Sequence, residues 1–278
     1  MSAFPPLALG PALLFCPADR PERYAKALDR SDAVILDLED AVAAADKAAA
    51  RRALIDTPID PARTIVRLNP LGTDDARADL DALARTAYTT VMVAKAESAA
   101  DLAALDPRLR VIALIETARG VARAEAIAEE PTVVGLMWGA EDLVASLGGT
   151  SSRTSDGSYR DVARHARSRV LIAAGAAGKA AVDAVHLDLD DAEGLAAEAA
   201  DAVASGFAAT ACIHPSQVPV IRAAYRPEAS DVAWARAVLA AAGIERGVFA
   251  FEGTMVDEPV LRHARAIIAR AAGDGASS

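Results

Sequence analysis

The chain has 278 residues, 53% hydrophobic but only 4% aromatic, and a formal net charge of −10. That balance argues against a nucleic-acid surface, which needs clustered Lys and Arg, and no apolar run is long enough to span a bilayer. Two cysteines, Cys16 and Cys212, cannot build a disulfide framework, and the opening stretch carries three prolines and no basic leader. A soluble cytoplasmic protein acting on a small molecule is expected.

In chain order, short apolar runs fall at 12–16, 33–38, 64–68, 90–94, 111–115, 133–138, 181–187 and 209–213. Ala-rich helical stretches lie between them, among them 47–55, 76–86, 120–129 and 159–174. Repeated strand–helix units predict an α/β fold, and eight strands are the number that closes a (β/α)8 barrel of roughly 250 residues. The seventh run is the weakest, because Ala-rich 173–184 could equally continue a helix. An open doubly wound sheet would alternate in the same way. Its glycine fingerprint is missing after the first strand, where Phe15-Cys16-Pro17-Ala18-Asp19-Arg20 stands, so the barrel is preferred. After Pro215 the pattern changes to a helix over 231–242, a Gly- and Pro-bounded segment, and a helix over 260–271. The chain therefore divides into a barrel, 1–222, and a C-terminal helical arm or lid, 223–278.

Functional groups on parallel barrels collect at the carboxyl ends of the strands. Glu116 directly follows the fifth run, and Gly139-Ala140-Glu141-Asp142 follows the sixth. Glu116 and Asp142 could hold one Mg²⁺, an ion that uses one or two protein carboxylates and leaves its other positions to water and substrate oxygens. Gly139 and Ala140 are small enough to let backbone N–H groups approach a ligand oxygen. Arg67 ends the third strand, where a guanidinium can fork onto a carboxylate. Period two places Asp37 and Glu39 on one face of the second strand. Buried there they need a cation, and Lys95 at the end of the fourth strand suits, in a network that orients the site. Cys212 near His214, with Cys16 on the adjoining strand, permits a thiolate or a zinc reading; neither spacing is a zinc pattern, and buried core cysteines are expected. Gly148-Gly149-Thr150-Ser151-Ser152 lacks the lysine step of a phosphate loop and reads as a mobile loop.

Taken together, these segments resemble the citrate lyase β-subunit-like proteins of the HpcH/HpaI aldolase superfamily, the stand-alone actinobacterial-type subgroup most closely. The opening Leu14-Phe15-Cys16-Pro17-Ala18-Asp19-Arg20-Pro21-Glu22-Arg23, the strand Val34-Ile35-Leu36-Asp37-Leu38-Glu39-Asp40, then Arg67, Glu116, Asp142, Cys212-Ile213-His214-Pro215 and Met255-Val256-Asp257 fall in family order. The match runs through nearly the whole chain.

The resemblance implies a homotrimer of (β/α)8 barrels, each arm reaching over a neighbouring subunit's site. It implies Glu116 and Asp142 as Mg²⁺ ligands, and Arg67 as the group that holds a substrate carboxylate or carbonyl. Phe15, Arg20 and Lys26 match positions that contact coenzyme A, and Asp257 matches the acid–base carboxylate of the arm. The implied chemistry is reversible C–C cleavage of a 3-hydroxyacyl-CoA, of citramalyl, malyl or hydroxymethylglutaryl type. Its products would be acetyl-CoA and an oxo acid such as pyruvate from citramalyl-CoA or acetoacetate from hydroxymethylglutaryl-CoA, oxaloacetate being the oxo acid from a citryl thioester. A citryl-thioester lyase β subunit needing partner chains, and a non-catalytic oxo-acid binder, are the competing readings. Two departures stand out: Ala209-Thr210 replaces a common Gly-Lys, and Ser146 replaces a common Asp.

Overall fold

The computed structural model describes residues 9–243 and 247–274. Eight parallel strands close a barrel in sequence order: β1 (Ala12–Pro17), β2 (Ala33–Asp37), β3 (Thr64–Leu68), β4 (Thr90–Val93), β5 (Arg110–Ile115), β6 (Val133–Trp138), β7 (Ala180–Asp183) and β8 (Ala209–Cys212). β8 returns to pair with β1, so the barrel itself has no open strand edge. Helices follow the strands, as parallel crossovers require.

The barrel interior is a packed layer of Leu13, Ile35, Ile65, Met92, Ile112, Leu114, Val134, Met137, Val182 and Ala211. Side chains alternate along a strand. The inward positions above this layer are therefore Phe15, Asp37, Arg67 and Glu116, which the apolar pattern lifts to the carboxyl-terminal mouth. The sixth strand departs from simple alternation. Val111 pairs with Val133 but Ile112 pairs with Gly135, so β6 carries an extra residue at a bulge. Val134 and Met137 both face inward as a result, and Trp138 turns outward. There it is fully buried, donating to Asp183 Oδ1 at 2.5 Å and meeting Tyr159 edge-on.

Strand limits follow the sequence closely except at the seventh. β7 ends at Asp183 rather than reaching 187, and the helix before it, Asp161–Ala176, stops where Gly178 adopts φ +66. Left-handed glycine is the usual end of a helix. The single helix expected over 120–129 is two short ones, Ala118–Ala122 and Ala124–Ala128, broken at Arg123.

The chain separates into two compact units, Met1–Ile221 and Arg222–Ser278. The second has its own core of Ala235, Val238, Val256, Ala264 and Ile267, between the helices Ala229–Ala242 and Glu258–Asp274 and a hairpin. That hairpin, β9 (Phe249–Phe251) and β10 (Thr254–Val256), turns through Glu252 and Gly253, both left-handed. Among the described residues no helix is long and apolar enough to cross a membrane.

Candidate active site

The mouth of the barrel holds a cavity of about 210 Å³. Its polar lining includes Asp37, Arg67, Glu116, Glu141 and Asp142, and its apolar lining includes Phe15, Leu114, Met137, Val185 and Ile213.

Arg67 is held on three sides. Its Nε donates to Asp37 Oδ1 at 2.7 Å, one terminal nitrogen to Asp37 Oδ2 at 2.5 Å, and the other lies 3.0 Å from Glu39 Oε2. The guanidinium carbon sits 4.9 Å from the centre of the Phe15 ring. Burial works against its charge, yet the bonds and charges of Asp37, Glu39 and Glu116 outweigh it and hold the pKa above the ordinary arginine value. Asp37 is itself fixed by the backbone N–H groups of Glu39 and Ala41, so it orients Arg67 and has little left for a ligand. A guanidinium has five donors, and these contacts leave N–H groups for a carboxylate in the cavity.

Lys95 has a left-handed backbone, φ +50, which turns its own N–H onto Glu116 Oε1 at 3.0 Å. Its ammonium lies 2.5 Å from Glu39, 3.3 Å from Asp40, 3.4 Å from Asp142 and 3.9 Å from Glu116. Lys95 pairs with Glu39 as expected, Asp37 takes Arg67 as its cation instead, and the network extends to both candidate metal acids.

Glu116 is only 3% exposed. Burial, with the nearby charge of Asp142, pushes its carboxyl up to about 8 against the pull of Lys95 and Arg67. Asp142 stands in the first turn of the helix Ala140–Ser146. Gly139 donates its N–H to the Ile115 carbonyl at 3.2 Å, so that N–H is not the open donor expected from sequence. What Gly139 offers is space, since a Cβ there would lie 2.8 Å from Glu116 Oε2. Ala140 opens the helix and is buried against the cavity.

These residues suit a hard divalent cation. Asp37, Glu39, Asp40, Glu116 and Asp142 outnumber Arg67 and Lys95, and Glu116 is a buried carboxylate whose charge wants a partner. Among the described residues no three His, Cys, Asp or Glu side chains form a ready cage, which leaves the Glu116–Asp142 pair and oxygen ligands from solution or substrate as the fitting arrangement.

Of the other candidates, Phe15 lines the cavity, Arg20 follows β1 with its side chain 53% exposed, and Lys26 is exposed on the helix Tyr24–Arg30. Cys16 and Cys212 are buried, and burial pushes the Cys16 thiol up to about 11, which suits a core residue rather than a thiolate. His214 is exposed and bonded to Ser216. Asp257 belongs to the second unit. It follows β10, and its Oδ1 accepts the N–H of Val260 at the start of the last helix. The 148–152 segment differs from the mobile loop expected: Ser152 is buried and donates to Glu141 Oε1 at 2.5 Å, tying the loop to the mouth. Sequence reasoning passed over Glu141 as a lining residue, although it directly precedes Asp142. Ser146, where Asp is common, accepts the Ala118 N–H, and Thr210 is buried in β8.

A closed parallel barrel with an acidic mouth and one pinned guanidinium defines a barrel enzyme for small, anionic, oxygen-rich molecules. The chain belongs to the HpcH/HpaI aldolase/citrate lyase family, whose pattern matches residues 12–215. It is 65% identical to a citrate lyase subunit beta-like protein of Mycobacterium tuberculosis, over 95% of this chain and 96% of that protein. A crystal structure of CitE from the same organism, in complex with magnesium, acetoacetate and coenzyme A, superposes with a TM-score of 0.90 at 63% identity, covering 95% of this chain and 99% of the other. Human mitochondrial citramalyl-CoA lyase is 30% identical over 91% of this chain and 83% of its own length.

Proposed function

We propose that the chain is a Mg²⁺-dependent carbon–carbon lyase that cleaves a 3-hydroxyacyl-CoA of citramalyl, malyl or hydroxymethylglutaryl type to acetyl-CoA and an oxo acid. The observation that carries this reading is the juxtaposition of Glu116 and Asp142 with a preset Arg67 in one small cavity. The likeness to a CitE structure holding magnesium, acetoacetate and coenzyme A supports it, as does the likeness to a citramalyl-CoA lyase.

Arg67 receives the carboxylate of the oxo-acid half, beside the bond that breaks. Its fixed fork removes most of the orientational freedom of that end before reaction. A divalent cation on Glu116 and Asp142 supplies Lewis-acid polarisation of the hydroxyl and carbonyl oxygens. In the cleavage direction the hydroxyl passes its proton to the Asp257 carboxylate, its oxygen becomes the carbonyl of the oxo acid as the C–C bond breaks, and the electron pair of that bond passes to the acetyl carbon as a thioester enolate. A proton delivered to that carbon completes acetyl-CoA, and Asp257 is the proposed carrier. The apolar wall of Leu114, Met137 and Val185 keeps water from the reacting carbons. Phe15, Arg20 and Lys26 take the coenzyme A portion, with the basic pair meeting its phosphates. The arm works across subunits of a cytoplasmic homotrimer; its own compact core supports its acting as a separate piece.

The test is acetyl-CoA release by the purified protein from each of the three thioesters, in Mg²⁺ or in EDTA. Mg²⁺-dependent release from at least one is expected. No release from any would overturn the lyase assignment.

A further inference from the structure

Lys95 has more contacts with carboxylates than orienting Glu39 requires. Its ammonium is in hydrogen-bond range of Glu39 and Asp40, and it also lies 3.4 Å from Asp142 and 3.9 Å from Glu116. The backbone is left-handed at a residue that has a side chain, a conformation that costs free energy unless the surroundings enforce it. The enforcing contact is its N–H on Glu116 Oε1. One residue thus fixes one oxygen of the buried acid from its backbone, and spreads a positive charge over both acids from its side chain. The other cation of the mouth, Arg67, is tied to Asp37 and Glu39.

We propose that the Lys95 ammonium sets how tightly the mouth holds a divalent cation, by sharing Glu116 and Asp142 with it. This rests on the reading of Glu116 and Asp142 as the cation's ligands. Two positive ions on one pair of carboxylates repel, so Lys95 keeps the cation exchangeable while making the acid cluster tolerable without it. The long lysine stem allows the ammonium to lean toward Glu39 and Asp40 as the cation arrives, with the backbone N–H still on Glu116.

The experiment is calorimetric titration of the full-length protein with MgCl₂ at fixed pH and low salt, comparing wild type with Lys95→Met, Lys95→Gly and Lys95→Arg. Lys95→Met removes the charge and keeps the stem; about tenfold tighter Mg²⁺ binding is expected. The gain should shrink as salt is raised, because part of the repulsion is screened. Lys95→Gly also removes the charge but relaxes the left-handed backbone, so it gives the same answer if the methionine variant folds poorly. Lys95→Arg keeps the charge and should stay within about twofold of wild type. Folded Lys95→Met or Lys95→Gly protein that binds Mg²⁺ no more tightly than wild type overturns the proposal and leaves the metal site standing. If Glu116→Gln binds Mg²⁺ as wild type does, or wild type binds none, the metal-site reading fails and this inference fails with it.

Discussion

Gly139 and Glu116 are in contact across the β5–β6 boundary, and the contact leaves no room for any side chain at 139. An added Cβ would lie 2.8 Å from Glu116 Oε2 and 2.9 Å from Glu116 Cβ. The bulge in β6 brings the glycine there, since without the extra residue Trp138 would have faced the interior instead. Gly139→Ala should therefore displace the Glu116 carboxylate. We expect a loss of about 1–3 kcal/mol of stability from overpacking and at least a tenfold loss of Mg²⁺ affinity. Chemical denaturation and calorimetry measure the two effects separately, and wild-type metal affinity would show that Glu116 is not held by this contact.

Asp37 and Arg67 form a buried pair in which the acid has four donors. Removing one partner strands the other, and breaking such pairs costs about 3–5 kcal/mol. Asp37→Ala should destabilise the barrel on that scale in urea. Any protein that folds should show a raised KM for the thioester, because Arg67 is no longer preset. Arg67→Lys should not restore a normal KM, since an ammonium cannot make the same fork.

Asp257 both caps the last helix and is the proposed proton carrier, and the two roles separate by substitution. Asn is as good an N-cap as Asp. Asp257→Asn should melt within a few degrees of wild type, bind Mg²⁺ normally, and lose turnover by about a hundredfold or more. Full activity in Asp257→Asn would rule out the acid–base role while leaving the cap intact.

Cys16 should behave as a core residue over the working pH range. Its folded-state pKa of about 11 lies above the ordinary thiol value, chiefly through burial. Between the ordinary thiol range and pH about 11 the folded protein holds a proton that the unfolded chain releases. Its contribution to stability therefore falls as pH rises through that window and is unchanged below it. Alkylation of Cys16 at pH 8 should be slow and should follow unfolding; rapid modification of the native protein, with loss of activity, would reopen a thiolate mechanism.

Much of this was legible in the sequence because barrel strands have a short period and a fixed mouth. The run Val111 to Ile115 places Glu116 at a carboxyl end whatever the details of packing, and Asp37 and Arg67 follow from alternation on their own strands. The bulge was not legible. Val133-Val134-Gly135-Leu136-Met137 is apolar throughout, so nothing in the pattern marks where its inward phase changes, and the role of Gly139 as space depends on that change. Ser152 was missed for a different reason: its bond to Glu141 joins a loop to a helix and follows no periodicity. The β9–β10 hairpin is marked in the sequence only by a Glu252-Gly253 turn between two three-residue runs. The start of β7 at Ala180 depended on Gly178, which ends the preceding helix from inside an Ala-rich stretch that local propensity reads as helix.

The most direct measurement is the product balance from citramalyl-CoA with Mg²⁺, using wild type and Glu116→Gln. Acetyl-CoA and pyruvate should appear in equal amounts with wild type and disappear together with Glu116→Gln. Free coenzyme A with intact citramalate would instead show thioester hydrolysis, and equal turnover by both proteins would place the chemistry away from Glu116; either result would contradict the account.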